Sequence, residues 1–325
     1  MGLARGSLLA VVAASTLALG GLSACGSDDE GGSGGAESIK VGVIPIADVA
    51  PLYLGIEKGF FKEQQLTLEP QLAEGGAAIT PAVLNGDFQI GFSNTISLLI
   101  AASKGLPVQT ISQGSLGGRD ESEAWAELLV RKDGPIEEAR DLEGKTIAVN
   151  TLKNICEVTI KASLEKRDVD IEKLEFTEVP FPDMNAALDA ERVDGACVVE
   201  PFVSQGKAGK ARGIDPIYVN TAPDLTVATY FASRQYIEEN PELIDRFVKA
   251  MSKSLDYAQQ NPDAARKILT SYTMIPPEAA AKIRLPVWRS ELTIPTIERL
   301  SKLSLRYGLI EKEPDLEALI REPQR

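Results

Sequence analysis

From Ser38 onward the chain switches between two hydrophobic periods. Ser38–Ile44 (SIKVGVI) carries apolar side chains at alternate positions and is broken by Pro45, the pattern of a strand. A helix is predicted from Pro51 to Lys58, and the turn at Gly59 leads through Phe60-Phe61 to a strand at Leu66–Leu72. Gly75-Gly76 opens a helix that runs to Leu84, and Asn85-Gly86-Asp87 is a turn before a short strand at Phe88–Phe92. Ser93 or Asn94 then caps a helix ending at Lys104-Gly105, followed by a strand at Val108–Ser112. This β-α alternation implies a mainly parallel sheet covered by helices.

The Gly/Ser-rich stretch Gly114–Ser122 reads as a loop, Ala126–Arg131 as a strand and Lys132-Asp133-Gly134-Pro135 as a turn. The alternation then restarts. Strands are predicted at Lys145–Asn150, Leu174–Val179, Asp194–Val199 and Asp215–Asn220, with helices at Asn154–Lys166, Pro182–Ala190 and Pro201–Lys210 between them. After a strand at Thr226–Ser233 only helices remain: Pro241–Gln260, Pro262–Tyr272, Pro277–Arg284 and Thr296–Tyr307. A helical tail with no sheet of its own is expected to pack back on the first βα set, so that the chain crosses between the sets twice. The expected division is lobe 1 from residues 38–126 plus 226–325, and lobe 2 from residues 127–225.

The N-terminal stretch differs in kind. Arg5 and the apolar run from Leu8 to Leu19 form a leader too short to span a bilayer of ~30 Å. It closes with Leu22-Ser23-Ala24-Cys25, which resembles a bacterial lipobox. The resemblance implies cleavage after residue 24 and a diacylglyceryl group on the Cys25 thiol. Two or more acyl chains anchor stably where one binds only marginally. The spacer Gly26–Glu37 (GSDDEGGSGGAE) has no apolar residue able to pack and is expected to be a coil reaching about 20 Å. Residues 25–37 would thus tether the body to the outer face of the bacterial cytoplasmic membrane, touching it through lipid alone.

Composition narrows the function classes. Removing the leader takes away one of the 34 basic residues and none of the 47 acidic ones, leaving a net charge near −14, so nucleic acid is not an expected partner. With no histidine in the chain, Ser-His-Asp and Cys-His catalysis and His-ligated zinc or haem are excluded, and no cofactor or metal is expected. Cys156 and Cys197 are the two cysteines besides Cys25. They can pair outside the cytoplasm, but spacing alone does not decide whether their Cβ atoms meet.

Several phrases together resemble a type II periplasmic-binding-protein fold, in the nitrate/sulfonate/taurine and thiamine-pyrimidine branch of ABC-importer binding subunits. They are VGVIPIADVAPLYLGIEKGFFKEQQL, GGAAITPAVLNGDFQIGFSNT, DLEGKTIAVNTLKN, RVDGACVVEPF and the helical NPELIDRFVKAMSKSLDYAQQNPDAARKIL, spread from about Ile39 to Leu305. The resemblance implies two α/β lobes hinged by crossover strands at Glu127–Arg131 and Val219–Ala228. It also implies a monomer that holds a small molecule between the lobes and hands it to a permease driven by an ATPase. Pyrimidine synthases of the superfamily use a histidine and a cysteine-rich motif absent here. A desulfinase relative or a tethered sensor without transport are the other readings.

In open α/β sheets ligands bind beyond the carboxyl ends of strands, which singles out the residues there. Ile46, Asp48 and Tyr53 follow the first strand, Gly75 and Gly76 the second, Ser93 and Asn94 the third. Asn150, Thr151 and Asn154 follow the first strand of lobe 2, Phe181 and Asp183 the next, and Glu200 the next. Each has a plainer role open to it. Ser93 and Asn94 serve equally as N-caps, Gly75-Gly76 as a turn, Phe181 as core, and Glu200-Pro201 as a helix start. The proposed loops carry Asp48, Glu74, Asp183 and Glu200 against Lys153 and Arg119. This balance disfavours a bare anion and suits an amine, an amidine-like ring or a zwitterion, although helix N-termini can hold a sulfonate without a basic side chain.

Overall fold

A computed structural model describes residues 37–321; the leader, Cys25 and the spacer up to residue 36 lie outside the described residues. Glu37, expected in the spacer, already begins β1 (Glu37–Val43). Four further strands are β2 (Leu66–Leu72), β3 (Ile90–Asn94), β4 (Val108–Leu116) and β10 (Thr226–Ser233), and they form one sheet in the order β2-β1-β3-β10-β4. The second sheet has β5 (Ala126–Arg131), β6 (Thr146–Val149), β7 (Glu175–Glu178), β8 (Gly195–Val199) and β9 (Ala211–Asp215) in the order β7-β6-β8-β5-β9.

The two sheets follow one plan. In the first, β1 is parallel to both β2 and β3, while β10 runs antiparallel between β3 and β4. In the second, β6 is parallel to β7 and β8, while β5 runs antiparallel between β8 and β9. Each sheet is thus mainly parallel, and its one opposed strand is the strand reached by crossing from the other sheet. This is the two-lobed type II periplasmic-binding-protein architecture.

The helices, in chain order, are α1 (Ala50–Glu57), α2 (Phe60–Glu63), α3 (Gly76–Leu84), α4 (Thr95–Ser103), α5 (Ile155–Glu165), α6 (Phe181–Asp189), α7 (Phe202–Ala208) and α8 (Ile217–Thr221). The tail adds α9 (Arg234–Glu239), α10 (Pro241–Gln260), α11 (Pro262–Ile268), α12 (Pro277–Ala280), α13 (Ile294–Arg306) and α14 (Leu316–Leu319). Helix α10 buries Ile244, Phe247, Met251, Leu255 and Ala258, a stripe at three- and four-residue spacing, against α1, α2 and β4. The tail therefore packs on lobe 1, and α13 touches α4 of lobe 1 and α5 of lobe 2.

Four expectations need correction. The segment Asp215–Asn220 is not a strand: β9 ends at Asp215, and α8 begins after Pro216, which has no N–H to offer a sheet. Ile217 and Val219 imitate strand alternation, yet Tyr218 between them is also buried. Glu127–Arg131 lies wholly inside the second sheet, so the crossovers are residues 117–125 and 216–225, not strands at Glu127–Arg131 and Val219–Ala228. The Gly/Ser stretch expected as a loop instead extends β4 to Leu116. Gly114 permits this, since a Cβ there would lie 2.7 Å from the Ala228 carbonyl oxygen and 2.8 Å from Phe92. Finally, Pro277–Arg284 is helical only to Ala280, and the chain beyond it runs irregularly through Trp288.

Cys156 and Cys197 are disulfide-bonded, with Cα atoms 6.1 Å apart, which ties the first turn of α5 to β8.

Candidate functional site

The lobes meet at the carboxyl ends of their parallel strands. The Asn150 amide donates to the Glu74 carbonyl (3.3 Å), and the Ala47 N–H donates to the Glu200 carbonyl (2.9 Å). Close approach is possible because residue 75 is glycine. A Cβ on Gly75 would sit 2.9 Å from Thr151 Cγ2 and 3.0 Å from Asn150 Nδ2.

Between the lobes lies a cavity of about 30 Å³, walled from lobe 1 by Ile44, Ile46, Asp48, Phe92, Asn94, Val227 and Ala228, and from lobe 2 by Asn150, Ile155, Phe181, Val199 and Tyr218. An outer cavity of about 340 Å³ shares Ile44, Ile46 and Phe181 with it and adds Leu72, Glu74, Pro180, Pro182 and Asp183, among others. Neither wall contains a lysine or arginine.

Asp48 is the one carboxyl group of the inner cavity and is 2 % exposed. Its Oδ1 accepts from Ser115 Oγ (2.6 Å), whereas Oδ2 is buried without a partner. Burial pushes its pKa from 3.8 to about 7, with the Ser115 bond pulling the other way. The backbone is held too: Trp288 Nε1 donates to the Asp48 carbonyl (3.1 Å), and the Tyr272 hydroxyl donates to the Ile46 carbonyl (3.1 Å). Tyr230 is buried and Tyr272 half-buried, and both phenols are held well above the ordinary range, by burial first and also by the neighbouring Tyr53 and Asp48.

The polar partners in the cavity are already engaged by their own helices. Asn94 caps α4, accepting from Ser97 N–H (3.0 Å) and donating to Ser97 Oγ (2.9 Å). Asn154 caps α5 through the Cys156 and Glu157 N–H groups, and its amide donates to Asn150 Oδ1 (2.6 Å) and Thr151 Oγ1 (3.2 Å). Asn154 thus sets the orientation of Asn150 from behind the wall. Phe181 stacks nearly parallel on Phe202 at 6.0 Å between centroids.

Of the residues expected at the site, the structure brings Ile46, Asp48, Asn94, Asn150 and Phe181 to the inner wall and Asp183 to the outer one. It places the others behind the walls. Tyr53 stacks on Tyr272 at 4.0 Å. Ser93 is buried against Gly76, where a Cβ would lie 2.0 Å from its Oγ. Gly75 faces Thr151 rather than the cavity. The Glu200 carboxylate is consumed by Ser204 (Oγ 2.7 Å, N–H 3.1 Å) and the Arg284 N–H (3.3 Å), and burial raises its pKa. The two basic residues weighed against these carboxylates lie off both walls: Arg119 pairs with Asp224 at 3.6 Å, and Lys153 is exposed. Sequence reasoning missed Ile44, Phe92, Ile155, Val199, Tyr218, Val227 and Ala228, which come from within or beside strands, from the start of α5 or from the misread α8.

With this geometry in hand, similarity to known proteins is informative. The family model described as "NMT1/THI5 like" matches residues 46–265. The taurine-binding periplasmic protein of Escherichia coli (strain K12) is 31% identical over 209 residues, covering 63% of this chain and 61% of that protein. The chain thus spans under two thirds of that relative's length. The 4-amino-5-hydroxymethyl-2-methylpyrimidine phosphate synthase of Aspergillus parasiticus is 26% identical over 228 residues, covering 66% of this chain and 64% of that protein. Among solved structures, the alkanesulfonate-binding protein from Xanthomonas axonopodis pv. citri, bound to MOPS, superposes with a TM-score of 0.75 at 17% identity, covering 87% of this chain and 98% of the other. That last likeness concerns the fold.

Proposed function

The chain belongs to the NMT1/THI5-like family, and from that membership and the cleft we propose that it is an extracytoplasmic solute-binding protein. It captures a small organic nitrogen- or sulfur-containing molecule and delivers it to the permease of an ATP-driven importer. The observation that carries this is the inner cavity, whose wall is shared between the lobes and which has Ile44, Ile46 and Phe181 in common with a larger outer cavity. A cleft so built encloses a molecule when the lobes close and releases it when they part. The taurine-binding periplasmic relative supports the solute-binding reading.

The leader, lipidation at Cys25 and the spacer up to residue 36 complete the proposal, placing a monomer on the outer face of the cytoplasmic membrane. The synthase relative keeps an enzyme in view, but the sequence contains no histidine to serve as its acid or base.

A thermal-shift screen against sulfonates, taurine, nitrate, aminopyrimidines, amines and aromatic acids tests the reading. A solute at 1,000 times its dissociation constant adds about 4 kcal/mol, hence several degrees. A shift confined to one chemical class is expected, and a flat response across the panel counts against solute binding.

A further inference from the structure

We infer that the Asp48 carboxylate is the docking group for a nitrogen-bearing cation, so that the solute is a small amine, zwitterion or aminated ring and not a bare anion. The inference rests on the solute-binding reading and specifies what that site selects.

Asp48 lines the inner wall, and its Oδ2 is buried and bonded to nothing among the described residues. A buried acceptor left without a donor is costly, more so when charged, and an N–H group arriving there recovers that cost. Its position is fixed from two sides, by Ser115 at Oδ1 and by Trp288 at the main-chain carbonyl. The amide oxygens of Asn94 and Asn150 are both engaged within the protein. What these two side chains still offer a solute is an N–H. The complement of one carboxylate acceptor and amide donors is a molecule with both a donor nitrogen and an acceptor atom, as in an aminated heterocycle or a zwitterion.

Charge around the entrance points the same way. Glu74 and Asp183 stand on the outer wall, with no basic side chain on either wall, so a bare anion would approach two carboxylates and end against a third. Two of the helix N-termini at the cleft already carry a side-chain cap, whereas α3 and α6 begin without one. Asn94 caps Ser97 N–H on α4, and Asn154 caps Cys156 and Glu157 N–H on α5. Phe92, Phe181 and Tyr218 supply ring faces against which a cation or flat ring can rest. The inner cavity, about 30 Å³, suits a head group of ammonium size, while the body of the molecule extends past Phe181 into the outer cavity of about 340 Å³.

Titration calorimetry on the purified full chain tests this with two matched pairs, taurine against ethanesulfonate and 4-aminopyrimidine against pyrimidine. In each pair only the amino group differs. We expect the amino member of at least one pair to bind at least tenfold tighter than its partner, and Asp48→Asn to remove that preference. A melting curve of the Asp48→Asn protein establishes that it is folded. Equal affinity within both pairs, a preference that survives Asp48→Asn, or no binding by either amino compound overturns the inference. A shift in the wider screen with amino-free acids alone also overturns it while leaving solute binding intact, whereas a flat screen removes the solute-binding reading itself.

Discussion

Replacing Asp48 with asparagine should stabilise the protein by about 4 kcal/mol at pH 8, by less than half of that at pH 5 and by almost nothing below pH 4. The substitution keeps the shape and removes the charge. Burial raises the Asp48 pKa from 3.8 to about 7, so the folded protein holds a proton there that the unfolded chain has already lost. A carboxyl group shifted upward in the fold contributes its full stability below pH 4 and loses it as pH rises through about 7. Each pK unit is worth about 1.4 kcal/mol, so the carboxylate form costs about 4 kcal/mol of stability by pH 8. For a body of roughly 290 residues, whose unfolding entropy is about 0.6 kcal/mol per degree, that corresponds to a melting difference of about 7 °C. Glu200 and Asp215 are also raised by burial, but both remain in the variant, so the difference between the two proteins isolates Asp48. The assay is urea unfolding and thermal melting of both proteins from pH 5 to 8 without added solute. Parallel pH profiles would refute the reasoning, because they would mean that Asp48 is solvated or paired in the folded state.

Three further outcomes are expected. Asn154→Ala removes the α5 cap and the bond that orients Asn150, so stability should fall by about 1–2 kcal/mol with weaker solute binding, read by urea unfolding and calorimetry. Gly75→Ala puts a methyl group 2.9 Å from Thr151; it should hold the lobes apart, enlarging the radius of gyration in X-ray scattering, and lower solute affinity while the melting point barely moves. Removing the disulfide by Cys156→Ala with Cys197→Ala opens a loop of 41 residues and should cost about 4 kcal/mol, seen as a lower urea midpoint; treating the parent protein with reductant under denaturing conditions before refolding should shift it the same way.

Much of the fold was legible because strand ends coincide with local punctuation. Leu66–Leu72 and Ala126–Arg131 occupy the expected limits, each marked by alternation and flanking turns. Where the reading failed, long-range burial overrode the local pattern. Ile217, Tyr218 and Val219 look like a strand, yet they form a turn of helix buried on all sides against α5 and β5. At the site, the strand-end rule found Asp48, Asn94 and Asn150. It did not find Phe92 or Tyr218, whose place in the wall exists only once two lobes face each other. Nor could it show that the Glu200 carboxylate is taken up by Arg284, 84 residues further along the chain.

The placement of β10 bears on how the chain acquires its structure. All strands of the second sheet lie within residues 126–215, so that sheet can be completed from one continuous stretch. The first sheet lacks an interior strand until residues 226–233 arrive, and α10 covers it only after residue 241. Local pairings form before distant ones because shorter loops lose less entropy on closing. A chain emerging N-terminus first therefore presents four strands of an unfinished sheet, flanking a gap, while the second lobe folds ahead of the first. That interval, in which β3 and β4 have exposed edges, is where aggregation or chaperone capture would act on this protein.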